Sequence, residues 1–200
     1  HLNNVTGFIN FVKSGMDEQL SIHADHFSTN AAYGVGSYVK GSLFLYQLQY
    51  ILGQETFKAG FLRYFNTWKF KHPNPNDVIR VMEKESGMEL DWFKEYFVYT
   101  TRLPDYAIEG ADEGSKKKTS IVRLKNLGTM PMPVDVTVTM SNGDEVLYTI
   151  PLGIMRGAKQ AEGGKTYNVA PDWPWTNPTY ELTLDIAFKN IRSIEVDASG

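Results

Sequence analysis

The sequence predicts an α+β chain, helical over residues 1–103 and an antiparallel β-sandwich over residues 104–200. Three observations predict it. Apolar residues recur at helical spacing through the first half. They alternate with a period of two in the second half. The step Leu103-Pro104 separates the two patterns. The chain has 200 residues, 42% of them hydrophobic and 22% charged, which suits packed cores and not a disordered tail.

The first helix is expected over Leu2 to Val12, where Val5, Phe8, Ile9, Phe11 and Val12 give a rough helical spacing. The segment Ser37 to Leu52 is apolar nearly all round, through Tyr38, Val39, Leu43, Phe44, Leu45, Tyr46, Leu48, Ile51 and Leu52. Such a helix is expected to be buried, with Gly53 stopping it in a left-handed cap. From Glu55 to Trp68, Phe57, Phe61, Phe65 and Trp68 form one apolar stripe, while Lys58, Arg63 and Lys69 face water. Asn74-Pro75 opens the next helix: the Asn side chain accepts orphan backbone N–H groups, and Pro loses no donor that the first turn needs. Val78, Met82 and Glu85 mark that helix, and Ser86-Gly87 ends it. Leu90 to Phe97 is a short aromatic helix.

Beyond Leu103-Pro104, Val134, Val136, Val138 and Met140 alternate with Asp135, Thr137 and Thr139, as in a strand with one buried face. Asn142-Gly143 signals a hairpin, and Glu145 to Ile150 is its return strand. Tyr106–Glu109, Ser120–Lys125, Tyr180–Asp185 and Ser193–Val196 complete the strand candidates. Many short strands of this kind suggest a sandwich. Pro171-Asp172-Trp173-Pro174-Trp175 reads as a loop that packs aromatics over a sheet end.

Charge and composition narrow the function. A net charge of −3 gives no electrostatic reason to expect nucleic acid or an anionic membrane as partner. The basic run Lys116-Lys117-Lys118, beside Asp112 and Glu113, reads as a solvated turn. There is no cysteine, so disulfides and thiolate metal sites are excluded. No apolar run reaches the ~18 residues of a membrane span. The sequence opens without Met and shows no signal peptide; both ends read as cuts within a longer protein. An extracytoplasmic bacterial (periplasmic or secreted) parent is carried as a working assumption.

Chemistry is sparse. The histidines are His1, His23, His26 and His72, and no His-Glu-x-x-His is present. His23 and His26 could share a helix face, but two ligands without a third or fourth do not make a zinc site, so a polar loop is the favoured reading. No Gly-x-Ser-x-Gly, phosphate-binding or dinucleotide-binding glycine motif occurs.

One ordered set of motifs does carry a resemblance. Tyr38-Val39-Lys40-Gly41, then Leu52-Gly53 with Phe57, then Tyr64, Trp68, Phe70 and Lys71-His72-Pro73 follow one another in sequence. Asp77, Glu85-Ser86-Gly87 and Leu90, Trp92, Phe93 and Tyr96 continue the order. This order resembles a block in M1 family zinc metallopeptidases, of the aminopeptidase N or leukotriene A4 hydrolase kind. The resemblance spans Ser37 to Phe97, is looser over the β half, and closes on Arg192 to Asp197.

The resemblance implies that residues 1–103 are the helical part of a thermolysin-like catalytic domain and residues 104–200 its β-sandwich neighbour. It implies a parent that uses zinc to remove N-terminal residues from peptides. The zinc motif and its glutamate ligand precede Tyr38 in that family and are absent from this sequence. Residues of this chain are thus expected to bind no metal and to be inactive alone. The resemblance makes Tyr38 the donor of a hydrogen bond to the oxyanion of the tetrahedral intermediate, opposite the zinc. A phenol fixed where charge develops acts mainly in the transition state. Lys40 and Gly41 are expected to be structural, Gly41 by allowing close helix packing and Lys40 by reaching a carboxylate. Peptide is the expected substrate of the parent, and the rest of the M1 polypeptide is expected to pack on the helical half. The competing reading is a non-catalytic module whose sandwich loops, with Trp173 and Trp175 exposed, bind protein or carbohydrate.

Overall fold

The computed structural model describes the backbone of residues 2–197 and side chains from Val5 onward. His1 and residues 198–200 lie outside the described residues. The chain divides between Arg102 and Leu103 into two compact units. The first is helical and the second is built of sheets, so the class is α+β.

In the first unit, α1 (Leu2–Lys13) buries Phe8. A single 3-10 turn follows at Ala24–His26. Helix α2 (Asn30–Gly34) starts at Thr29, whose hydroxyl accepts the Ala32 N–H at 3.0 Å. It runs on through a π-helical turn, Val35–Lys40, into α3 (Gly41–Leu52). The helix expected from Ser37 therefore begins earlier and contains a wider turn. Helix α3 is not buried all round. Leu43, Phe44, Leu48, Ile51 and Leu52 are buried, while Tyr46 is exposed. Its phenol tip tolerates water where a leucine would not.

Gly53 does stop α3, although not in the left-handed region. Its φ of 79° and ψ of 154° fall in a region that only glycine adopts readily. Helix α4 (Gln54–Trp68) carries the expected aromatic stripe, with Phe57 and Phe61 stacked at 5.7 Å. The stripe is not a core face, because Phe61 and Phe65 are exposed. Gly60 is the buried position of α4, and a Cβ there would stand 2.6 Å from the Met82 sulfur. Close packing therefore belongs to Gly60. At Gly41, a Cβ would meet only a carbonyl oxygen at 3.9 Å, so its expected role is not seen.

Helix α5 (Pro75–Ser86) opens on a reciprocal cap. The Asn74 side chain accepts the Asn76 N–H at 2.9 Å, and Asp77 accepts the Asn74 N–H at 2.8 Å. Gly87, with φ 69°, ends it in the left-handed region. Helix α6 (Asp91–Tyr99) follows the buried Leu90. Phe44 stacks on Phe93 at 5.2 Å, and both meet Phe97, which joins α3 to α6.

The second unit holds two larger sheets. One has the order β1 (Tyr106–Glu113), β2 (Ser120–Asn126), β8 (Thr179–Leu184), all antiparallel. The other has the order β7 (Asn168–Val169), β4 (Glu145–Ile150), β3 (Val134–Met140), β9 (Ile191–Val196). Its β4–β7 pairing is parallel and the rest are antiparallel. Val122, Leu124, Leu182 and Leu184 are buried on the first sheet; Val134, Val136, Val138 and Ile150 are buried on the second. The β3–β4 hairpin closes with Met140 N–H to the Asp144 carbonyl at 2.8 Å, and Gly143 takes φ 94°. Lys116, Lys117 and Lys118 lie exposed on the β1–β2 turn.

The polar face of β3 is covered at one point. Asp135 is buried, and its carboxylate pairs with the buried Lys159 ammonium at 2.7 Å. Lys159 also pairs with Glu162 at 2.9 Å, on the small hairpin β5 (Ala161–Glu162) and β6 (Lys165–Thr166). A buried ion pair of this kind survives because each charge has a partner.

Candidate functional site

The site is built on the π-helical turn. Its backbone is opened by one residue, and the Gly41 N–H reaches the Gly36 carbonyl. Successive helical residues turn by about 100°, so Tyr38 and Lys40, two apart, point to opposite sides. Tyr38 is 78% exposed and Lys40 only 2%. The first projects its phenol outward, and the second anchors the turn inside.

The anchor is fully occupied. The Lys40 Nζ donates to Asp17 Oδ1 at 3.1 Å, to Asp17 Oδ2 at 3.0 Å and to the Glu18 carbonyl at 2.6 Å. It also stands 5.9 Å from the Phe8 ring centre. Burial lowers the Lys40 pKa from its ordinary value, and the Asp17 carboxylate pulls it back up. Lys40 does reach a carboxylate, as expected. The sequence named no partner, because Asp17 lies 23 positions away on an irregular segment. No spacing rule connects two such positions.

Elsewhere the sequence candidates stay apart. His23 and His26 sit on the exposed 3-10 turn, with ring centres 5.4 Å apart. The His23 Nδ1 accepts the Asp25 N–H at 3.3 Å, a local turn contact. Among the described residues, no group of three or more His, Asp or Glu could hold a metal ion. The described residues of this chain therefore do not fit a zinc site. Among them, no helix is long and apolar enough to cross a membrane.

The Pro- and Trp-rich loop splits in two. Trp173 is buried, stacked on Tyr180 at 5.1 Å, edge-on to Tyr106 at 5.5 Å, and its indole N–H donates to the Asn177 carbonyl at 2.9 Å. Trp175 is 42% exposed. The paired exposed tryptophans of the binding-module reading are thus not present. Burial pushes the Tyr106 phenol up to about 12, partly offset by the Met132 N–H that it accepts.

Comparison with known proteins places these features. Residues 10–97 match the Peptidase family M1 domain. The match begins ahead of Ser37, so it takes in Asp17, and it ends at Phe97. No curated protein matches the chain. Among solved structures, Legionella pneumophila aminopeptidase A in complex with aspartic acid is similar in fold, with a TM-score of 0.54 and 13% identity. The likeness covers 80% of this chain but only 16% of that one, so the chain spans a small part of its neighbour's length. Over residues 10–97, the chain is similar to the M1 peptidase family.

Proposed function

We propose that this chain is part of a zinc-dependent aminopeptidase and supplies the oxyanion donor Tyr38, with the zinc ligands held on polypeptide outside it. One observation carries the reading: Tyr38 projects an exposed phenol from a π-helical turn whose next-but-one residue is locked inside. π-helical turns are uncommon and occur often at functional sites. A phenol O–H held in place donates to an oxyanion without reorganising when charge appears, so its hydrogen bond strengthens in the transition state. The parent's substrate is a peptide with a free N-terminus. Residues 1–103 are the helical part of the catalytic domain, and residues 104–200 form a β-sandwich spacer.

The rest of the polypeptide packs on the helical half. The exposed face of α4, with Phe61, Leu62 and Phe65, supports this, since apolar patches of this kind are commonly covered. The chain by itself is inactive, because a hydrogen-bond donor provides neither a nucleophile nor a means to activate water. In the full-length polypeptide, Tyr38→Phe lowers kcat about a hundredfold on an aminoacyl anilide. The 200-residue chain with added zinc gives no turnover above its own Tyr38→Phe variant. Turnover above that control would overturn the inactivity, and an unchanged kcat in the full-length variant would overturn the role of Tyr38.

A further inference from the structure

We propose that Asp17 and Lys40 are positioning residues for the Tyr38 phenol, an inference that rests on the oxyanion reading above. A π-helical turn is a rare departure from the α-helix, found mostly as a single turn inside one. Two supports are present. At Gly36, a Cβ would stand 3.2 Å from the Phe27 ring, so the turn presses closely on that ring. At Lys40, all three ammonium protons are taken by Asp17 and the Glu18 carbonyl.

The acidic segment is itself tied down. Glu18 accepts the Ser28 N–H at 2.9 Å, next to the Thr29 cap of α2. Ser21 N–H donates to the Val98 carbonyl of α6 at 3.1 Å. Asp17 thus transmits a fixed position from α6 and the α2 cap to Lys40, and Lys40 fixes the turn that carries Tyr38. Without the clamp, the wide turn can relax toward an α-helix. Re-registering a helix by one residue rotates its side chains by about 100°. A phenol rotated that far no longer reaches the developing charge, and even a misplacement of about 1 Å can lower a rate about a hundredfold.

The test is steady-state kinetics of the full-length polypeptide on an aminoacyl anilide, with Asp17→Asn, Lys40→Met, Tyr38→Phe and the double variant Asp17→Asn/Tyr38→Phe. The expected result is a fall in kcat of about tenfold or more for each clamp variant, with KM within about twofold. In the double variant, Asp17→Asn adds little to the loss from Tyr38→Phe, since the misplaced group is already gone. Asp17→Glu and Lys40→Arg keep the charges and retain more kcat than the neutral variants; they also carry the test if the neutral variants do not fold. Clamp variants within about twofold of the parental kcat, beside a large loss from Tyr38→Phe, overturn the inference while leaving the oxyanion reading standing. Losses that multiply in the double variant also overturn it. A Tyr38→Phe variant with unchanged kcat overturns the oxyanion reading, and the positioning role falls with it.

Discussion

Gly53 and Gly87 both end helices, and they do so with different backbone geometry. Gly87 sits at φ 69°, ψ 12°, a left-handed position that other residues can enter at a cost of about 1–2 kcal/mol. Gly53 sits at φ 79°, ψ 154°, where a Cβ is far less tolerated. Gly53→Ala is therefore expected to lower stability more than Gly87→Ala, by about 1–3 kcal/mol against about 1 kcal/mol in urea unfolding. The reverse order would contradict the backbone assignment. Both glycines were legible as helix stops; the distinction between them was not, because a Leu-Gly pair fixes the stop and leaves ψ open.

Tyr106 carries a pH dependence. Burial raises its phenol pKa to about 12, and its oxygen accepts the Met132 N–H at 2.7 Å. A phenol whose folded pKa is raised stabilises the fold fully below about pH 10 and loses that contribution as pH climbs toward 12. The stability of the second unit should fall across that window, with a shallower slope in Tyr106→Phe. The variant also strands the Met132 N–H, so it starts about 1–3 kcal/mol less stable at neutral pH. An equal slope in both proteins would show that Tyr106 does not titrate with the fold.

At the scale of elements, periodicity reported the type of α1, α3, α4, α5 and α6 better than their burial. The stripe of α4 holds Phe57, Phe61, Phe65 and Trp68, as their spacing requires, yet Phe61 and Phe65 are exposed. Hydrophobic spacing reveals a face; what covers the face depends on chain packed against it. Phe65→Glu and Leu62→Glu in the 200-residue chain should each change stability by no more than about 0.5 kcal/mol. Together they should lower binding of an apolar-surface dye such as ANS. A loss well above 1 kcal/mol would mean that the face is already buried within this chain.

The β half shows the same boundary. Strands β3 and β4 were legible from alternation and from Asn142-Gly143 between them. The two-residue strands β5, β6 and β7 are too short to show a period. Gly163 and Gly164, both with positive φ, turn the chain between β5 and β6. The burial of Asp135 under Lys159 was not readable, because alternation places Asp135 on the polar face and only tertiary packing covers it.

At the scale of the whole molecule, the chain divides into two compact units, one helical and one built of sheets. The π-helical turn left no trace in the sequence, because one extra residue disturbs a period of 3.6 too little to show in a segment apolar on most sides. Tyr38 is proposed through its neighbours in an ordered set of motifs, and not through local chemistry. The fold then supplied what the motif could not: an outward phenol, an inward Lys40 and its Asp17 partner.

Tyr38 is proposed to act on a charge that exists only in the transition state. The most direct measurement is the affinity of the full-length polypeptide for two inhibitors, a tetrahedral phosphinic peptide and a ground-state product peptide, before and after Tyr38→Phe. The expected result is a loss of about a hundredfold for the phosphinic peptide and less than about twofold for the product. Equal losses for the two inhibitors, or no loss for either, would contradict it.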